Sequence, residues 1–153
     1  MFADLCHFYQ MGFVTRDLDR TTEALGRRFG IARFHRKQSA PWLETAHAWS
    51  TGVMIEVMRI GEGAPALYAG YTPDDPAAIR LHHHGYRVAD KAGWAAIERR
   101  VADAGLEAPM EGIVMNGDLR FLYVDTRAEL GLYSEFVMLG GSAAGLYDDV
   151  PRN

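Results

Sequence analysis

The sequence predicts an α+β protein built from tandem βαβββ modules that pair into a curved mixed sheet enclosing a cleft, with helices outside. Two observations predict it. Gln10-Met11-Gly12-Phe13-Val14 leads through Asp17 into a helical pattern, and His83-His84-Gly85-Tyr86-Arg87-Val88 leads through Asp90 into another. Positions 10 and 83, 12 and 85, and 17 and 90 are each separated by 73 residues. Each copy then closes with an apolar run centred on one acid, Val53-Met54-Ile55-Glu56-Val57-Met58 and Leu132-Tyr133-Ser134-Glu135-Phe136-Val137.

The first module spans residues 1–61. Cys6 to Thr15 alternates and is rich in aromatic and β-branched residues, which predicts a strand. Asp17 or Asp19 is suited to cap the helix that follows. Leu18, Thr22, Leu25 and Phe29 form its apolar stripe, and Gly30 stops it. Strands are expected at 32–37, 43–50 and 53–60, the last two joined by a tight hairpin at Thr51-Gly52. Residues 62–79, with two prolines, form the connection.

The second module, residues 80–139, repeats this order. A strand at 80–88 precedes a helix from about Asp90 to Ala104 stopped by Gly105, followed by strands near 108–115, 119–125 and 132–139. Glu56 and Glu135 are 79 residues apart, and the surplus falls in the turn Asp125 to Gly131, where an insertion is cheap. Residues 140–153 read as a tail or a surface lid. One module alone would leave apolar sheet and open edges exposed, so two copies should pair.

Composition narrows the function. The 153 residues are 48% hydrophobic and 24% charged, enough to bury a core without disulfides. The interspersed charges sum to −4, which argues against nucleic acid as a partner. No apolar run approaches the roughly 20 residues that span a bilayer, and the N-terminus lacks the features of a signal peptide. With the single Cys6, this implies a cytoplasmic protein with no membrane partner and a buried, inert thiol.

Gln10 and Glu56 in one copy, and His83 and Glu135 in the other, are potential metal ligands at matching places, which suggests a metal site between the halves. Glu56 shares its strand face with Met54 and Met58, and Glu135 shares its face with Tyr133 and Val137. An acid in such surroundings needs a partner, so both should face the cleft. Alternation sends His83 to one face and His82 with His84 to the other. The repeat pairs His83 with Gln10, while His7, His35 and His47 have no such support. Gly12 and Gly85, two residues beyond Gln10 and His83, would leave room for a ligand. Tyr133, Met58, Met54, Tyr123 and Arg120, with Trp42 and Trp49, are candidates to line a substrate pocket. Ordinary core packing is the competing reading for them.

The duplicated βαβββ order, the His83-His84-Gly85-Tyr86 opening and the turn Asp125-Thr126-Arg127-Ala128-Glu129-Leu130-Gly131 before Glu135 resemble the vicinal oxygen chelate superfamily, within it the glyoxalase and methylmalonyl-CoA epimerase branch. The resemblance covers residues 5 to 139. It implies one divalent metal ion (Zn, Ni, Co, Mn or Fe) held by Gln10, Glu56, His83 and Glu135, with Glu135 as base and Glu56 serving the opposite face. It also implies a small-molecule substrate with a carbonyl beside an acidic C–H, and a homodimer as an available assembly. Ile60 stands where glyoxalase I carries an asparagine that helps hold glutathione, and Ile79 where it carries an arginine, so the likeness does not extend to glutathione. Gln10 replaces a histidine of the extradiol dioxygenases, which disfavours oxygen chemistry. The alternative within the superfamily is a non-catalytic, drug-sequestering protein of the bleomycin-resistance kind.

Overall fold

The structure is a computed structural model that describes residues 2–76 and 78–153. Met1 and Ala77, which fall in the expected first module and connection, lie outside the described residues. The elements run β1 (Cys6–Thr15), α1 (Leu18–Phe29), β2 (His35–Ala40), β3 (Leu43–Ser50), β4 (Val53–Ile60), β5 (Ile79–Val88), α2 (Lys91–Asp103), β6 (Met110–Val114), β7 (Leu119–Asp125), a single turn α3 (Arg127–Leu130) and β8 (Tyr133–Leu139). The eight strands belong to one mixed sheet, so the expected α+β architecture of two βαβββ repeats is present. Contacts divide the chain into two compact units, one comprising residues up to Tyr9 with His83–Asp148, the other Gln10–His82 with Asp149–Asn153.

In the unit centred on the first repeat the strand order is β2-β3-β4-β1. β1 runs parallel to β4, while β2, β3 and β4 are antiparallel neighbours. The Asp17 carboxylate caps α1 by accepting from the Arg20 N–H at 3.0 Å, and Gly30 ends it at φ 72°. Leu18 and Leu25 pack on Ala46, Val57, Ile55 and Phe34, which fixes one sheet face as the helix side. Phe29 keeps its place on the expected stripe yet is 71% exposed, because this cluster ends at Leu25 and Phe34. Thr21 is buried instead, its hydroxyl 2.8 Å from that of Thr15.

Thr51 and Gly52 make the two-residue hairpin with φ 49° and 87°. Such a turn sets Ser50 opposite Val53 and leaves no freedom in the register beyond it. β2 begins at His35 rather than at residue 32. The reason lies at the other end of the chain: the Asn153 side-chain oxygen accepts from the backbone N–H groups of Ala32 and Arg33, which are therefore withheld from the ladder.

The other unit has the order β5-β8-β7-β6, with β5 parallel to β8 and the rest antiparallel. Asp90 caps α2 through the Gly93 N–H at 2.8 Å. Trp94, Ile97 and Val101 face Val88, Leu122, Val124, Phe136 and Met138, and Trp94 Nε1 donates to Glu98 at 2.7 Å. The surplus turn between β7 and β8 winds into α3 and is closed by the Thr126 hydroxyl, which donates to the Leu132 carbonyl at 2.7 Å. Cys6 is half-buried, its thiol donates to the Phe2 carbonyl, and burial raises its pKa, as expected of an inert thiol.

Two tyrosines of the connection pack on His82, whose ring stacks on Tyr68 at 4.7 Å and meets Tyr71 edge-on. The C-terminal stretch makes specific hydrogen bonds. Asp118 accepts from the Ser142 N–H and hydroxyl at 2.8 and 2.7 Å, which holds the segment after β8. In the other unit Trp49 N–H donates to the Pro151 carbonyl at 2.8 Å and Asn153 N–H to Trp49 O at 3.0 Å. Among the described residues no helix is long and apolar enough to cross a membrane.

Deleting Pro151, Arg152 and Asn153 removes these backbone bonds and frees the Ala32 and Arg33 N–H groups; urea unfolding should show a loss of about 1–3 kcal/mol. Arg100 holds the Asp4 carboxyl at a pKa of about 2 by a direct hydrogen bond, against 3.8 ordinarily. A depressed folded-state value stabilises above pH 3.8 and loses that contribution as pH falls toward 2. Carbon-detected NMR titration should place the Asp4 midpoint near 2, and Arg100→Ala should return it toward 3.8.

Candidate functional site

The same register recurs in both units. In the first, β1 against β4 pairs Gln10 with Met54 and Gly12 with Glu56. In the second, β5 against β8 pairs His83 with Tyr133 and Gly85 with Glu135. Each repeat therefore sets its first-strand candidate opposite the residue two before the acid, and a glycine opposite the acid itself. Ile55 and Val57 go to the helix side in one unit, Phe136 and Met138 in the other, so alternation sends Glu56 and Glu135 to the face away from the helix.

Gln10 is 2% exposed and donates from Nε2 to Glu56 Oε2 at 2.7 Å. An ionised carboxylate only accepts, so the amide must present its NH2 to Glu56. Gln10 Oε1 is thereby directed elsewhere, and this buried oxygen has no hydrogen-bond partner. An amide oxygen left in this condition beside a carboxylate suits a cation, which would satisfy the orphaned acceptor and offset the buried charge. In the other unit His83 is fully buried, its Nε2 3.3 Å from Glu135 Oε2 and its ring edge-on to Tyr123 at 5.2 Å. Among the described residues, no three or more His, Cys, Asp and Glu side chains form a group that could hold a metal ion. The candidates stand instead as an amide–acid pair and an imidazole–acid pair.

The remaining expected site residues divide. Met54 and Met58 share the Glu56 face and are buried, Met54 opposite Trp49 and Met58 opposite Thr45. Tyr123 lies directly opposite Glu135, and Tyr133 is two residues from it on the same face. Burial raises the Tyr133 pKa, opposed by Arg127, whose guanidinium sits 4.9 Å over the ring. Arg120 is not brought to this group. It alternates with Tyr123, sits opposite Met138 and shares the face of Leu122 and Val124 on the helix side. Of the other histidines, His84 packs edge-on to Phe8, and its pKa is lowered by burial and secondarily by His83.

One residue was not anticipated. His47 is 8% exposed, stands directly opposite Glu56 across β3 and β4, and places Nε2 3.0 Å from Glu56 Oε1. The signal was in the hairpin: with Thr51-Gly52 as the turn, the residue three before Ser50 must face the residue three after Val53.

No sequence-family model matches the chain, and no curated protein sequence matches it. Solved structures do. A methylmalonyl-CoA epimerase superposes with a TM-score of 0.62 at 16% identity, covering 90% of this chain and 99% of that one. A Streptomyces coelicolor methylmalonyl-CoA epimerase variant in complex with 2-nitronate-propionyl-CoA gives 0.61 at 18% identity, with 91% and 97% covered. This chain has the fold of these epimerases. A third structure with that fold, methylmalonyl-CoA epimerase from Mycobacterium tuberculosis, gives 0.57 at 15% identity over 90% and 91% of the two chains. At these identities the likeness is one of fold, so what the fold does here has to be argued from the side chains.

Gln10→Met keeps the volume but removes the donor to Glu56 Oε2, so the apo protein should lose about 1–3 kcal/mol in urea unfolding.

Proposed function

We propose that Gln10, Glu56, His83 and Glu135 together hold one divalent cation, and that the chain is a metal-dependent isomerase or lyase moving a proton at a carbon beside a carbonyl. The observation that carries this is the buried Gln10 Oε1, an acceptor with no hydrogen-bond partner next to a carboxylate. The repeated register supports it, since both units prepare the same face in the same way. One imidazole nitrogen with three oxygens suits Zn, Ni, Co, Mn or Fe. When bound, such an ion polarises a substrate carbonyl and acidifies the adjacent C–H.

The protein's own groups do the rest. Glu135 takes the proton from the substrate carbon and can return it to the same face, or to the opposite face once the planar enolate has turned over in the site. Met54 and Met58 line the Glu56 face in one unit, and Tyr123 and Tyr133 the Glu135 face in the other, surroundings that favour a fairly apolar acyl group. One solved neighbour is a methylmalonyl-CoA epimerase in complex with methylmalonyl-CoA, which makes an acyl thioester the first substrate class to try.

The test combines metal titration by calorimetry with exchange of solvent deuterium into the α-carbon of acyl thioesters. The parent should bind about one ion per chain and catalyse exchange, and Glu135→Gln should bind substrate while slowing exchange roughly 100-fold or more. A parent that binds no ion stoichiometrically overturns the metal site and leaves the sequestering role. Exchange that survives Glu135→Gln overturns the role of that acid.

A further inference from the structure

The two acids occupy matching strand positions but are held differently. Glu56 is gripped on both oxygens, Oε2 by Gln10 Nε2 at 2.7 Å and Oε1 by His47 Nε2 at 3.0 Å. Because the carboxylate only accepts, His47 must carry its proton on Nε2 and donate it. At the place of His47 the second unit has Tyr123, which meets the His83 ring edge-on and leaves Glu135 with no comparable pair of donors among the described residues.

We infer that His47 is a positioning residue: it fixes Glu56 by Oε1 as a non-migrating ligand, and so restricts proton transfer to Glu135. This rests on the metal-site reading above and adds a division of labour between the two acids. Three features of His47 fit the role. Antiparallel pairing with a rigid two-residue turn sets its Cα opposite that of Glu56, so its reach does not depend on a loop. Its burial keeps water from competing for Oε1. A carboxylate ligand oriented by an outer hydrogen bond binds metal more tightly, and losing such a bond lowers affinity roughly 10- to 100-fold.

The experiment compares His47→Gln, which keeps an N–H at similar reach, with His47→Leu and His47→Asn, which do not. Divalent-ion affinity is read by competition with a chromogenic chelator, the Co2+ absorption spectrum reports the ligand field, and apo melting curves confirm folding. Expected is a dissociation constant raised roughly 10- to 100-fold with an altered Co2+ spectrum in the Leu and Asn variants. His47→Gln should stay near the parent in both. Parent-like affinity and spectrum in folded His47→Leu or His47→Asn overturn the role of His47 while leaving the metal site standing. Failure of the parent itself to bind Co2+ or Zn2+ overturns the metal site and this role with it.

Discussion

Everything at the candidate site depends on the parallel pairing of the first strand with the last strand in each repeat. That pairing brings Gln10 beside Glu56 and His83 beside Glu135, residues 46 and 52 positions apart in the chain. Side chains alternate faces along a strand, so a one-residue slip would turn each acid into the helix-side cluster, where neither has a partner. The register is held from the helix side. Leu18 and Leu25 fix Ile55 and Val57 in one unit, Trp94 and Ile97 fix Phe136 and Met138 in the other, and the acids are left facing away.

The duplication is architectural, and the two copies have diverged chemically. Each repeat keeps a glycine opposite its acid and an amide or imidazole two residues before that glycine. Across the hairpin, one repeat has a histidine, His47, and the other a tyrosine, Tyr123. A site made from two equivalent acids would have two candidates for proton transfer. On the proposed reading, divergence at one cross-strand position makes one acid a fixture and leaves proton transfer to the other. The segments that follow the repeats have also been put to structural use, Tyr68 stacking on His82 and Asn153 closing off the start of β2.

Much of this was legible in the sequence because it follows from short-range rules. The bounds of β1, β3, β4 and β7 and the caps at Asp17 and Asp90 come from alternation and turn chemistry acting within a few residues. Alternation and the repeat place His83 on the Glu135 face. What was not legible depends on partners distant in the chain. The late start of β2 is set by Asn153, the exposure of Phe29 by where the underlying cluster ends, and the strapped C-terminus by Asp118 and Trp49. Arg120 illustrates a different limit, since composition made it attractive as a pocket cation while alternation with Tyr123 had already assigned it to the other face. His47 was within reach of the sequence, because the hairpin that places it was legible and only its consequence three residues away was not drawn.

The central claim is that an amide, an imidazole and two carboxylates serve one cation. X-ray absorption of the protein titrated with Zn2+ to one equivalent examines it most directly, since that method counts imidazole and sulfur ligands. The account predicts a single environment with one imidazole, the remaining ligands oxygen, and no sulfur. Two or more imidazoles, a thiolate contribution, or a spectrum indistinguishable from hydrated zinc would contradict it.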